Sequence, residues 1–364
     1  MRADRNLPAF AACHCLLWLL LACLPWSAAW AEDLDFHAPA STADPTLTNT
    51  MRDLALRLLP VYQDNDTERY LNNLAALQMA TGNWPSAWEQ RQALLERRNG
   101  ISPNADRPFD LYARARVLEH EEGIPFAQAW ARVFRLTVPR LPDPDALELG
   151  RLLKTPVYQF RNELQQQLDR YRGQNRINIA AGLQLVRAWL SFDAWRAFSP
   201  LVPALVAQDQ NSRYQQADVA VHLPGQPTLP AHLILPRAAP EHLPAQLIFR
   251  PQGQAQTADA EDDLALAAHG SAVIILQATP PPLPPRHNRR ALRRRAAYFK
   301  ALTHWIGLQP WSNGQVDYPG EAEPAKAGAP AGVKPPAKPA GRAHPPATPP
   351  AHVQKPAMPA PARQ

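Results

Sequence analysis

The sequence predicts an α + α/β protein: an all-helical domain over 45–212, a short open α/β sheet over 213–317, and a disordered Pro/Ala/Lys-rich tail over 318–364. Three observations carry this. Apolar residues recur at helical spacing through the first stretch. After Tyr214, short apolar runs alternate with a helical pattern, as in sheets built from strand–helix–strand units. Beyond Val316 the chain is almost entirely Pro, Ala, Gly and Lys, which cannot bury enough surface to offset its ordering entropy. The 41 prolines against 15 glycines in 364 residues exclude a plain single globular domain, because the prolines crowd the C-terminal end.

The first 31 residues read as a secretory signal. Arg2 and Arg5 make a positive start, an apolar stretch runs over 11–24, and Ala29-Trp30-Ala31 is a small-x-small cleavage site before Glu32-Asp33. Cleavage is expected between Ala31 and Glu32, with export to the periplasm or beyond. A lipoprotein is the rival reading, because Leu20-Leu21-Ala22-Cys23 loosely resembles a lipobox. The three cysteines, Cys13, Cys15 and Cys23, all lie in this segment, so a processed chain has no disulfide framework and no thiolate metal site. A linker is expected over 32–44.

The helical domain follows. Leu54, Leu58 and Tyr62 share one helical face, as do Tyr70, Leu74 and Leu77. Asp66 or Thr67 can cap the second helix and Gly82-Asn83 can end it. Further helices are expected over 86–98, 108–122, 125–136, 145–153, 157–172 and 178–198. Pro108, Pro125 and Pro156 sit near helix starts, where a missing N–H costs least. No clean repeat period emerges, so a solenoid is not expected.

In the sheet region, 219–221 and 232–235 read as short strands, and 246–249 and 272–276 as buried parallel strands. A helix is expected over 258–269, with Asp259, Glu261, Asp262 and Asp263 in its first turns, and another over 289–307. The turn Trp311-Ser312-Asn313-Gly314 is expected to reverse the chain into a strand starting at Val316. With no strand expected past it, the sheet's edge and apolar faces are expected to lack partners.

Net charge is +6 and local. Arg286, Arg289, Arg290, Arg293, Arg294 and Arg295 crowd one stretch, where a solvated helix face is favoured over an anionic-surface contact. Export and the lack of interleaved aromatics argue against nucleic acid. Ser271 sits at a strand start and Ser312 in a turn, so neither reads as a nucleophile. His269 and His304 have no ligand partner at helical spacing, and no metal or cofactor is expected. Glu119, Glu121 and Glu122 read as a solvated helix end, Asp143 and Asp145 as turn and cap. Trp84, Trp88, Trp130, Trp189 and Trp195 read as helical-bundle core rather than a ligand groove.

The string Trp305-Ile306-Gly307-Leu308-Gln309-Pro310-Trp311-Ser312-Asn313-Gly314-Gln315-Val316 resembles the segment before the nucleophile in cocaine-esterase and X-Pro dipeptidyl-peptidase type hydrolases, the CocE/NonD family. There W-I-x-x-Q-P-W-S-x-G-x-V precedes a G-x-S-Y-x-G elbow. Residues 214–237 resemble the family's first two strands, 247–250 its third, 264–276 its next helix and fourth strand, and 45–212 the N-terminal extension of some exported members. The resemblance therefore implies an incomplete α/β-hydrolase sheet and an ancestry in ester, amide or X-Pro dipeptide hydrolysis.

The departures bear on activity. Asp317-Tyr318-Pro319-Gly320-Glu321-Ala322 stands where the elbow belongs. It has no serine, and Pro319 fixes φ and removes an N–H at the strained turn. Where the family often has R-T-P-Y-G, with a tyrosine that helps hold the oxyanion, this chain reads Arg250-Pro251-Gln252-Gly253, so the resemblance makes Gln252 the oxyanion candidate. No catalytic residue is assigned, and the chain is expected to be inactive as it stands. The alternative is a cell-envelope binding or scaffold protein, docking a partner through its helical domain and spanning space with its proline-rich tail.

Overall fold

A computed structural model describes residues 33–238, 241–250, 256–282 and 288–318. The cleavage residues Ala31 and Glu32, the oxyanion candidate Gln252, Arg286 and residues 319–364 lie outside them.

Among the described residues, nine α-helices form the first half: α1 (Leu47–Leu58), α2 (Thr67–Thr81), α3 (Trp84–Arg97), α4 (Arg107–Glu122), α5 (Phe126–Thr137), α6 (Asp143–Leu153), α7 (Val157–Arg170), α8 (Ile179–Phe198) and α9 (Val202–Arg213). Local signals set their ends. The Asp66 carboxylate accepts from the Arg69 N–H at 3.0 Å to start α2, and Gly82, at φ 83°, closes it in the left-handed conformation that glycine takes without strain. Asn178 caps α8 by accepting from the Ala181 N–H at 2.9 Å. α8 is apolar on most sides, and α1, α2 and α7 pack around it. Leu185, Val186, Ala194 and Phe198 are sealed from solvent there, each large aliphatic side chain contributing about 1.5–3 kcal/mol of burial.

The tryptophans are core, as expected. Trp130 stacks on Phe198 at 4.5 Å, and Trp195 packs against Phe160 at 4.3 Å. Trp189 is buried, while Trp84 and Trp88 are half-buried against the same core. Asp143 and Asp145 stand in the first turn of α6 behind the capping Pro142, and each pairs with an arginine rather than serving as a cap.

The segment expected as a linker is built in. Strand β1 (Asp33–Asp35) pairs antiparallel with β2 (Arg176–Asn178), and Phe36 is buried in the helical core. Neither strand is legible locally, because each is three residues long and mostly polar.

Among the described residues, the second half is a five-stranded mixed sheet of order β3-β4-β6-β5-β7: β3 (Tyr214–Val221), β4 (Leu229–Pro236), β5 (Leu243–Phe249), β6 (Ala272–Leu276) and β7 (Ser312–Asp317). β3, β4 and β6 pair antiparallel in turn; β6, β5 and β7 run parallel. Helix α10 (Gln256–Ala268) connects β5 to β6, and α11 (Arg289–Gly307) connects β6 to β7. β7 begins earlier than expected. Leu243 N–H already donates to Trp311 O at 2.7 Å, and the step from Leu243 to Ala245 faces the step from Ser312 to Val316. Ser-Asn-Gly is therefore a bulge inside the strand, with Gly314 at φ 83°, rather than a turn before it.

Both sheet faces are covered, contrary to expectation. Leu302 and Ile306 of α11 pack on Leu233, Leu247 and Ile274. On the other face, Leu264 and Ala267 of α10, with Leu147 of α6, pack on Ile234, Val273 and Ile275. Tyr318, counted with the tail, packs against the α11 side. The two halves belong to one compact unit and join without a loop, because Arg213 ends α9 and Tyr214 starts β3.

Candidate functional site

The topology marks one crevice. From β5 the chain leaves by α10 on one face to β6; from β6 it returns by α11 on the other face to β7, on the far side of β5. The carboxyl ends of β5 and β7 thus flank a switch point, where open α/β sheets leave room for a ligand.

At the end of β5, Arg250 grips Asp263 of α10 with two N–H groups, at 2.8 and 3.1 Å. Asp263 is 3% exposed, so this fork ties the strand end to the helix in a desolvated place. Across the crevice Phe249, Tyr298, Phe299 and Tyr318 form an aromatic cluster, with Phe299 5.8 Å from Phe249 and 5.1 Å from Tyr318. The hydroxyls of Tyr318 and Thr303 share a 2.7 Å hydrogen bond. Burial pushes the Tyr318 phenol up, against the Thr303 bond, and burial likewise raises Tyr298. This wall is aromatic, with the buried Arg295 guanidinium as a cation 4.8 Å from the Phe299 ring.

The serines fall at the other end of the sheet. Ser271 precedes the first residue of β6 and Ser312 starts β7, both on the amino side of parallel strands. The Ser312 hydroxyl accepts from the Gly314 N–H at 3.0 Å. His269, just past α10, and His304, on α11, are exposed. Glu119 pairs with Arg116 and Glu122 with Arg132, so these acids face arginines rather than one another. Arg289, Arg290, Arg293 and Arg294 are exposed on α11 as expected, but Arg295 turns inward and donates to Pro281 O at 3.1 Å.

Two histidine pairs escaped the sequence reading. His232 Nδ1 lies 2.9 Å from Asp218, opposite it on β3, and its Nε2 lies 3.2 Å from Gln216. His222 Nδ1 lies 3.0 Å from the Thr228 hydroxyl. One pair has an orienting carboxylate and the other a hydroxyl, and no bond joins them among the described residues. The first pair becomes visible only once the β3–β4 register is known. Among the described residues, no three His, Cys, Asp or Glu side chains gather as metal ligands do, and no helix is long and apolar enough to cross a membrane.

A second concavity, of about 1090 Å³, runs along α8 in the helical body. Ala180, Gln184, Arg187 and Ser191 recur at helical spacing and form its floor. Glu163 and Gln167, one turn apart on α7, line one wall, and Tyr62, Asp64, Arg69 and Asn73 another. A polar relay crosses it. Arg187 donates to the Asn73 carbonyl oxygen at 2.6 Å, the Asn73 amide donates to Tyr62 Oη at 2.6 Å, and Tyr62 donates to Asp64 at 3.1 Å. Arg69 donates to Asp64 at 2.7 Å, and this bond, aided by the Asp66 N–H, holds the Asp64 carboxyl well below the usual range. Burial pushes the Tyr62 phenol up, partly offset by Asn73.

No protein-family model matches the chain, and no curated protein proves similar to it.

Proposed function

We propose that residues 214–318 are the opening strands of an α/β-hydrolase sheet of the cocaine-esterase and X-Pro dipeptidyl-peptidase type, carried behind a helical domain in an exported chain that does not perform acyl transfer itself. Several features support this reading. The hairpin β3–β4, the strand β5, the pair α10–β6 and the pair α11–β7 follow the order that the resemblance implies. The distinctive string 305–316 ends α11 and supplies β7.

One observation carries the inactivity. At the carboxyl ends of β5 and β7, the described side chains are an aromatic cluster, a closed Arg250–Asp263 pair and a neutral Thr303–Tyr318 pair. Covalent acyl transfer needs a hydroxyl within hydrogen-bond reach of a base that a third group orients. Ser271 and Ser312 stand at the opposite end, and the residues after Tyr318 begin with proline.

The purified protein is expected to turn over a p-nitrophenyl ester and an Ala-Pro anilide no faster than a boiled control, and to take no label from a fluorophosphonate. Turnover abolished by that reagent sinks the proposal.

A second reading, a binding protein of the cell envelope, is favoured by the polar concavity along α8.

A further inference from the structure

We propose that the concavity along α8 binds a small zwitterion, an amino acid or short peptide with both termini free, whose carboxylate is taken by Arg187 and whose ammonium is taken by Glu163. This deepens the binding reading and is independent of the hydrolase one, because every residue it uses lies in the helical body.

Charge is the first argument. Within the concavity Arg69 and Asp64 neutralise each other. Arg187 has no carboxylate within ion-pair distance among the described residues, and neither Glu163 nor Asp33, which also lines the space, has a cation. An anion alone would meet two carboxylates, and a cation alone would meet a guanidinium. A ligand carrying both charges answers both.

Preorganisation is the second. Arg187 is held through one N–H by Asn73, which is 4% exposed and satisfied on its other side by Tyr62. A guanidinium offers five N–H groups in a rigid fork, so this anchor leaves donors for a carboxylate. Fixing the side chain beforehand lowers the entropy lost when a ligand docks.

The third argument is the placement of the unpaired carboxylate. Glu163 lies on α7 one helical turn before Gln167, and both line the same space. An ammonium, with three donors, answers that carboxylate. Ile179, Leu183 and Ala188 add an apolar lining suited to a small side chain, and the volume is of the order that holds small ligands.

The test is calorimetric titration of the purified full-length protein with dialanine, its N-acetyl form, its C-terminal amide, and free alanine. Dialanine or alanine should bind with one-to-one stoichiometry, the better of the two telling peptide from amino acid. Blocking either terminus should weaken binding roughly ten- to a hundredfold, as expected for loss of one charge-assisted contact. Glu163→Gln should weaken the free dipeptide by a similar factor but leave the N-acetyl form unchanged. Arg187→Gln should do the converse with the amide. Glu163 is exposed, so its variant decides the matter even if Arg187→Gln folds poorly by circular dichroism. No heat from either zwitterion at about 10 mM, blocked forms that bind as well as free ones, or indifference to Glu163→Gln would each overturn the assignment.

Discussion

Arg213 is the last residue of the helical half, and its guanidinium gathers separate parts of that half. Its Nε donates to Asp209 at 2.8 Å, Nη1 to Leu141 O at 3.1 Å and to Asp143, and Nη2 to Val138 O at 2.6 Å. The side chain is 10% exposed, and Asp209 is 8% exposed. Deleting the cation strands a carboxylate in a desolvated place. Arg213→Ala should therefore cost about 3–5 kcal/mol in denaturant unfolding. Arg213→Lys should recover only part of this, because an ammonium cannot span four acceptors with a planar fork. A loss within about 0.5 kcal/mol for the alanine variant would show that the network is ornamental. Nothing in the sequence pointed to this residue. Leu141, Asp143 and Val138 lie some seventy positions upstream, and only the packed fold brings them to it.

Elements were legible to the extent that their signal was local. The expected bounds of β6 and α11 coincide with those observed, the first because five apolar residues form one fully buried strand, the second because proline breaks and a capping Asn288 frame it. α9 had no separate signal, since Pro203 opens it and its apolar residues follow no clear period. β1 and β2 pair across more than a hundred residues through three polar-rich positions, a match that no window can see. Ser-Asn-Gly suits a turn and a bulge equally, and only pairing with β5 makes it a bulge within β7. Gly314 has a left-handed φ of 83°, and a Cβ there would meet nothing within 4 Å. The penalty for Gly314→Ala is then conformational alone, about 1–2 kcal/mol by thermal melting. Gln315→Val beside it should stay within about 0.5 kcal/mol, and equal losses for the two would refute the backbone account. The bulge and the exposed polar residues at 313–315 also blunt this edge against pairing with other chains.

At the scale of the whole molecule, the broad class was readable and the concavity along α8 was not. Its walls come from 62–73, 163–167 and 180–191, each of which reads as an ordinary amphipathic stretch. Stability against alkali also belongs to this scale, since each half hides a phenol. Burial raises Tyr112, in the helical core, far above its ordinary 10, and raises Tyr214, at the joint, to about 12. The folded state keeps these protons longer than the unfolded chain does. Their contribution is complete below pH 10 and drains away as pH rises toward and past 12. The denaturant midpoint should thus fall steeply above about pH 10, while the tyrosinate absorbance of the folded protein lags behind that of the unfolded chain. A flat midpoint across that range would mean that both phenols reach water.

The loopless passage from Arg213 into Tyr214 has a consequence for anyone cutting the molecule in two. A fragment severed there keeps its guanidinium hub but bares Leu147, while the complementary piece keeps α10 over Ile234 and Val273 and loses only the leucine beside them. The helical fragment would thus carry the greasier cut, and would be the one to seek its partner again.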